Sequence, residues 1–387
     1  MACPCCRSTN VEDFYTVENA PSQSIVTIKT YEEAIAIPRK DIALAFCNEC
    51  GFIFNRSFDA SVDFFTKGYE DQQGFSATFN AFLKGVTQDF IDKYDVRGKD
   101  IIEIGCGKGD FLQLICKLGN NRGIGIDPAY MQGRLEVSEN VRFIKELFSE
   151  DHGNLPCDVI TCRHTLEHIQ DTNGFVQKLH KSVDNNPEII VFIEVPNIVR
   201  ILKVNAFWDV FYEHCSYFSP GSLARLFRLN KFEVLDTYLG YNDQYLFIEA
   251  KYSPHNFDAV HPLEESVEQL SMYVNKFVES INKELGYWSK LLLNLKSKNK
   301  KVVIWGGGSK SVGFLTHFNH LQVVKYVVDI NIHMQGNFIP GIGIQYVPPE
   351  FLKTFKPDII IVMNEIYRNE IRDLLTYMDL LPELICL

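Results

Sequence analysis

The stretch Asp100-Ile-Ile-Glu-Ile-Gly-Cys-Gly-Lys-Gly109, followed by the amphipathic run DFLQLICKL, decides how the chain folds. A short strand pattern runs into three alternate glycines and then opens a helix. Gly105, Gly107 and Gly109 let the backbone pass close to a ligand, and the helix start offers unpaired N–H donors. The spacing departs from the G-x-G-x-x-G of dinucleotide sites. The acid that closes the strand, Glu103, suits a cofactor bearing an amino acid better than a pyrophosphate. Further on, GIGIDP ends a second strand at Asp127, where a carboxylate can bond both hydroxyls of a ribose. Together these features point to S-adenosyl-L-methionine. Glu146, in the loop before the next strand, is the candidate for the adenine side. Arg163, His164 and Thr165 are expected to emerge beside the cofactor, while Glu167 and His168 read more readily as a helix start than as site residues.

Working outward, DIIEIG, RGIGID, CDVITCR and EIIVFIEV read as strands alternating with helices. FEVLDTYL and QYLFIEAK read as an antiparallel pair closing the same sheet. Apolar residues at helical spacing between Phe75 and Tyr94 (Phe79, Phe82, Leu83, Val86, Phe90) predict an amphipathic helix leading into this unit. Residues 262–299 predict a long linker or packing helix. From Lys301 a second, smaller doubly wound α/β unit begins, with VVIWGGG, VKYVVDI and DIIIVM as strands.

At the other end, Cys3 and Cys6 make one C-x-x-C pair, and Cys47 and Cys50 another. Two thiolate knuckles supply four soft ligands for a closed, structural tetrahedral Zn²⁺; Cys5 does not fit the two-residue spacing. The chain has 387 residues, 46% of them hydrophobic, and a formal net charge of -11. That balance argues against nucleic acid as a partner, since phosphate backbones need a cationic surface. No uncharged apolar run approaches the roughly 20 residues that span a bilayer. No secretory signal is visible and the eleven cysteines are odd in number, so a reducing cytoplasm is expected. The oligomeric state is not legible.

The segment Asp209-Val-Phe-Tyr-Glu-His-Cys-Ser-Tyr-Phe-Ser219 concentrates an acid, a base and aromatics just after EIIVFIEVPN. His214 beside Glu213 could act as a general base near neutral pH. Tyr69, in KGYEDQQ, is a candidate lid residue. Gly306-Gly-Gly-Ser309-Lys310 lies between a strand and a helix and could cradle a phosphate, with Lys310 adding charge.

In IIEIGCGKGDFL, EHCSYFS, VVIWGGGSKSVGFL and VVDINIHMQGNFIPG the chain resembles the zinc-containing sugar C-methyltransferases that make methyl-branched deoxysugars, over nearly its whole length. The resemblance implies an α/β fold in three parts. These are a four-cysteine zinc-binding domain (1–60), a class I, Rossmann-like methyltransferase domain (61–255) and a helical segment with a small Rossmann-like domain (256–387). It also implies that His214 removes a proton beside the keto group of a nucleotide-activated sugar while Glu213 helps hold the substrate. The enolate then attacks the sulfonium methyl, and Tyr69 is an active-site tyrosine. Two departures stand out. Phe211 occupies a position where the family commonly has tyrosine, leaving Tyr212 as the nearest hydroxyl. GYNDQYL replaces a glycine-rich turn, making Asn242 a substrate-contact candidate. The alternatives are an O- or N-methyltransferase acting on another small intermediate, an NAD(P)-binding oxidoreductase using the C-terminal unit, and a zinc-stabilised binding protein without turnover.

Overall fold

The computed structural model describes residues 2–61, 68–183, 186–253, 255 and 259–387. The N-terminal strands β1 (Val11–Pro21), β2 (Arg39–Cys47) and β3 (Ile53–Asn55) form an antiparallel sheet. Its turns bring the two C-x-x-C knuckles together, so that the four Sγ atoms all lie within 4.8 Å of one another.

The helix Ala77–Tyr94 starts two residues later than the apolar spacing suggests, because the Ser76 side chain caps it by accepting the Phe79 N–H. It leads into β4 (Asp100–Ile104), β5 (Arg122–Ile126), β6 (Val141–Ile144), β7 (Val159–Arg163) and β8 (Ile190–Pro196). A two-residue strand, β9 (Ser216–Tyr217), leaves this unit and pairs with β3, becoming the fourth strand of the N-terminal sheet. The chain then returns as β10 (Phe232–Gly240) and β11 (Tyr245–Tyr252). The seven-stranded sheet runs β10-β11-β8-β7-β4-β5-β6, parallel except for the antiparallel β11 and β10. Its central strands are buried on both faces, which explains their near-continuous apolar sequence. Edge strand β6 lies outside the strands that the sequence predicts, because VRFI is only four residues long and too short to show a period.

The helix Val267–Ser297 carries a Ser266–Gln269 capping box and buries Leu270, Val274, Phe277, Ile281, Trp288, Leu292 and Leu295 along one stripe. It is a packing helix. Phe277 meets Tyr15 of β1 edge-on at 5.1 Å, and Trp288 meets Phe314 of the next unit at 5.2 Å. One apolar core therefore runs continuously from Val17 and Ile42 through Phe207 and Trp208 to Val302 and Val312. The C-terminal strands β12 (Val302–Trp305), β13 (Val324–Val328), β14 (Tyr346–Val347), β15 (Ile359–Val362) and β16 (Glu383–Cys386) form a wholly parallel sheet in the order β14-β13-β12-β15-β16. Two Rossmann-like sheets thus stand beside a small antiparallel one. No helix among the described residues is long and apolar enough to cross a membrane.

A tight joint between the units is at Gly313, in the helix Ser309–Phe318, where an added Cβ would lie 2.5 Å from the Trp208 carbonyl oxygen. Backbone cannot yield as a side chain can, so Gly313→Ala sets an overpacking cost of about 1–3 kcal/mol against about 1 kcal/mol of helix propensity. A net fall in Tm is expected. Gly286→Ala, in the long helix with open space around it, is expected to leave Tm level or raise it. Calorimetry of the two variants checks both.

Candidate functional site

A cavity of about 980 Å³ opens at the carboxyl ends of β4, β5 and β7 and extends to the first loop of the C-terminal sheet. Its cofactor half is built on the glycine loop. Gly105 (φ +70) could not carry a side chain, because its Cβ would fall 1.9 Å from Thr165 Oγ1. Gly107 (φ +54) would place a Cβ 2.4 Å from Asp71 Oδ2. Asp127 braces the loop: Oδ2 accepts the Gly107 N–H at 2.8 Å and Oδ1 accepts the Ala129 N–H at 2.6 Å. Glu103 lies on the cavity wall with Oε2 buried and without a partner among the described residues, and burial pushes its pKa up to about 8 despite the nearby Arg163. An orphaned carboxylate oxygen facing a cavity calls for a ligand that donates or carries positive charge. The amino group and ribose of adenosylmethionine meet that demand, so the residues fit the cofactor. Arg163 donates to Glu194, stacks on Phe111 at 4.5 Å and lines the same wall.

Across the cavity lie His214 and Glu213, both buried. His214 Nδ1 has no hydrogen-bond partner among the described residues. Burial, with His168, His164 and Lys310 nearby, holds its pKa well below the ordinary value. Phe211 covers its ring at 4.1 Å, and His168 meets it edge-on at 4.9 Å. His168 Nδ1 lies 3.0 Å from the Glu213 carbonyl oxygen. Burial pulls His164 down, but Glu194 and Glu167 outweigh it and lift the imidazole to about 9. Tyr69 joins this group through its backbone: its carbonyl accepts from Lys108 Nζ at 2.9 Å, and it forms a β-bridge with Val26. Burial, then the charge of Glu213, raises its phenol.

The far wall is the Gly306–Lys310 loop. Lys310 pairs with Asp209, whose other oxygen lies 3.4 Å from Arg200 Nη1. Two cations sharing one carboxylate leave a net positive surface facing the cavity. Ser309 Oγ lies 2.8 Å from Ser24 Oγ, and Ser24 bonds the Glu213 carboxylate through both its N–H and its hydroxyl.

Three sequence candidates lie elsewhere. Tyr212 points away from the cavity: its hydroxyl accepts the Asp59 N–H at 2.9 Å and its ring stacks on Phe58. Glu146 follows β6 on the surface, 3.8 Å from His152 Nε2 with its side chain 70% exposed; Leu147 and Phe148 line the cavity in its place. Asn242 sits exposed in a left-handed turn over 241–243, and Gln244 and Tyr245 reach the cavity from that segment instead. Sequence reasoning missed Ser24 altogether, since a serine in PSQS carries no signal, and gave no role to Arg200 or Glu194.

In the cysteine cluster, Cys3 and Cys50 Sγ are 3.7 Å apart and Cys6 and Cys47 Sγ 3.5 Å apart, with no disulfide. A tetrahedron with ~2.3 Å Zn–S bonds has edges of ~3.8 Å. The four thiols therefore have the donor chemistry and spacing to hold a metal ion.

A family model described as a methyltransferase domain matches residues 79–237, and one described as a C-methyltransferase C-terminal domain matches residues 256–380. The chain is 24% identical over 294 residues to C-methyltransferase NovU of Streptomyces niveus, covering 71% of this chain and 69% of that protein. It is 26% identical over 172 residues to a ubiquinone biosynthesis O-methyltransferase of Neisseria meningitidis serogroup C, covering 38% of this chain and 70% of that one. Among solved structures, magnesium protoporphyrin IX methyltransferase from Synechocystis PCC 6803 with bound SAH overlaps 49% of this chain and 91% of its own, at a TM-score of 0.36 and 14% identity.

Losing the Asp127 brace frees two loop N–H groups. Asp127→Ala is therefore expected to weaken S-adenosylhomocysteine binding by about ten- to a hundredfold, the worth of hydrogen bonds to a charged group. Isothermal titration of the variant against the parent checks this.

Proposed function

Starting from a chain that is an S-adenosylmethionine-dependent methyltransferase of a C-methyltransferase-like family, we propose that it methylates carbon: His214 takes a proton from the position beside a ketone of a nucleotide-activated sugar. The observation that carries this reading is the buried imidazole of His214, unpartnered at Nδ1, on the wall of the cofactor cavity. Burial keeps it neutral near pH 7, the form a general base needs. When bound, the cofactor supplies an activated methyl on a sulfonium that carries its own leaving group, and Glu103, the Gly105–Gly109 loop, Asp127 and Arg163 would hold it.

The C–H bond gives up its proton to the imidazole and leaves an enolate. His164, held positive between Glu194 and Glu167 on the same wall, is placed to lower the cost of that negative charge. Glu213 and Tyr69 border the same space. At the far end, Lys310 with Arg200 offers the positive surface that a diphosphate would need, with Ser309 beside it on the same wall, which supports a nucleotide-linked substrate. We assign Zn²⁺ to Cys3, Cys6, Cys47 and Cys50 as a structural ion. Eleven cysteines with none in a disulfide favour the cytoplasm.

The test is a screen of nucleoside-diphosphate keto-sugars in deuterated water with S-adenosylhomocysteine bound. Exchange at the carbon beside the ketone is expected with the parent protein, and His214→Ala should slow it by at least about a hundredfold without weakening S-adenosylhomocysteine. Because the imidazole titrates well below its ordinary ~6.5, the exchange rate should stay level from pH 8 down to pH 6. A rate that halves near pH 6.5, or exchange that survives His214→Ala, rejects the assignment. Separately, Cys47→Ser or prolonged chelation should remove the metal, read by atomic emission, and lower Tm. A protein purified without metal and indifferent to chelators would reject the zinc assignment.

A further inference from the structure

We infer that Ser24, on the loop between β1 and the short helix Tyr31–Ile35, is a positioning residue that locks the Glu213 carboxylate beside His214 and ties it to the C-terminal unit through Ser309. This rests on the proposed role of the Glu213–His214 pair.

Ser24 is 1% exposed. Its backbone N–H donates to Glu213 Oε1 at 3.1 Å and its hydroxyl donates to Oε2, so both carboxylate oxygens are fixed from one residue. A serine hydroxyl has a single proton. With that proton spent on Glu213, the 2.8 Å contact with Ser309 Oγ must have Ser309 as donor and Ser24 as acceptor. The result is a one-way chain, Ser309 to Ser24 to Glu213, ending on a charge that polarises every link. Ser309 has then committed its only hydroxyl proton, and toward a bound substrate it can offer lone pairs but not O–H.

The loop that carries Ser24 is itself clamped to the site. The Glu70 N–H donates to the Ile25 carbonyl at 2.7 Å, and Val26 bridges Tyr69. A single turn of the N-terminal unit therefore sets both Tyr69 and Glu213. Burial raises the Glu213 carboxyl above its ordinary value, and the Ser24 bonds pull it back. Among the described residues, the other ionisable groups facing it are His168, whose charge also pulls it down, and Tyr69. Ser24 thus works to keep Glu213 an anion in a place that disfavours one.

The test is ¹³C NMR of the full-length protein labelled at the glutamate carboxyl carbons, with the Glu213 signal assigned by its loss in Glu213→Gln. Ser24→Ala is expected to raise the Glu213 titration midpoint by about one pH unit or more. Ser24→Thr, which keeps the hydroxyl, is expected to bring it back. Unchanged S-adenosylhomocysteine affinity reports an intact fold; should Ser24→Ala not fold, the near-isosteric Ser24→Cys carries the same expectation. A midpoint unmoved by loss of the hydroxyl overturns the inference. With a keto-sugar nucleotide that supports exchange, Ser24→Ala should cut kcat about tenfold or more while KM holds. Exchange that survives His214→Ala defeats the proposed chemistry instead, and the carboxyl titration still decides Ser24.

Discussion

The geometry of the site depends on the pairing of a two-residue strand, β9, with β3. Ile53 sits opposite Tyr217 and Phe54 opposite Ser216, and the Asn55 N–H extends the ladder to the Cys215 carbonyl. Cys215 N–H in turn donates to the Glu167 carbonyl, so the strand is held from both sides. Anchoring 215–217 fixes the facing of the residues just before it: Phe211, Glu213 and His214 turn to the cavity, and Tyr212 turns to Phe58 and Asp59. The upstream end is tied to the other sheet, with Asp209 on Lys310 and the Trp208 backbone against Gly313. The segment is stretched between two units, which accounts for a core that cannot be divided at the domain joints.

That suspension explains how a carboxylate and a neutral imidazole can sit side by side, buried, in one loop. Left to solvent, the two would attract and the imidazole would charge. Here Glu213 is bonded from outside its own unit by Ser24, while His214 keeps Nδ1 unpaired and faces His168, His164 and Lys310, all of which oppose its protonation. Nearby anions are paired with other cations, Glu194 with Arg163 and His164, and Asp209 with Lys310 and Arg200. Glu167 reaches His164 at 3.4 Å but also lies within 4.8 Å of the His214 imidazole, which burial and the surrounding cations keep neutral. The wall is organised so that a base stays a base.

What was legible in the sequence follows from the range of each constraint. The glycine loop, Asp127 and the cysteine knuckles are local: a tight turn, a strand end and a two-residue spacing state their needs within a few residues. The alternation of strand and helix patterns was enough to read the doubly wound fold. Tyr212 was misplaced because facing within DVFYEHCS is set by β9, and two residues carry no periodicity of their own. Glu146 was misplaced because β6 was not recognised, so the loop was entered in the wrong register. Asn242 was chosen from a segment whose backbone turns left-handed at 241–243, sending it to solvent. Ser24 meets Glu213 across 189 positions, a contact only the assembled chain defines.

The two Rossmann-like sheets use one device twice, and the difference between the copies is informative. In each, an aspartate at the end of the second strand takes a glycine-loop N–H on one oxygen and the N–H two residues ahead of itself on the other. Asp127 does so with Gly107 and Ala129, and Asp329 with Gly307 and Asn331 at 2.7 Å each. In the first loop the neighbouring strand end supplies Glu103 with an unpartnered oxygen. In the second, the Tyr346 ring packs against Gly307 on the side facing Asp329, and its hydroxyl donates to the Gly307 carbonyl. Tyr346 thus closes one side of the second aspartate. The whole loop from Gly306 to Lys310 lines the shared cavity together with Asp329, and Lys310, with Arg200 beside it, gives that wall a cationic end. A phosphate-bearing substrate reaching in from the methyl-transfer side would meet that cationic end.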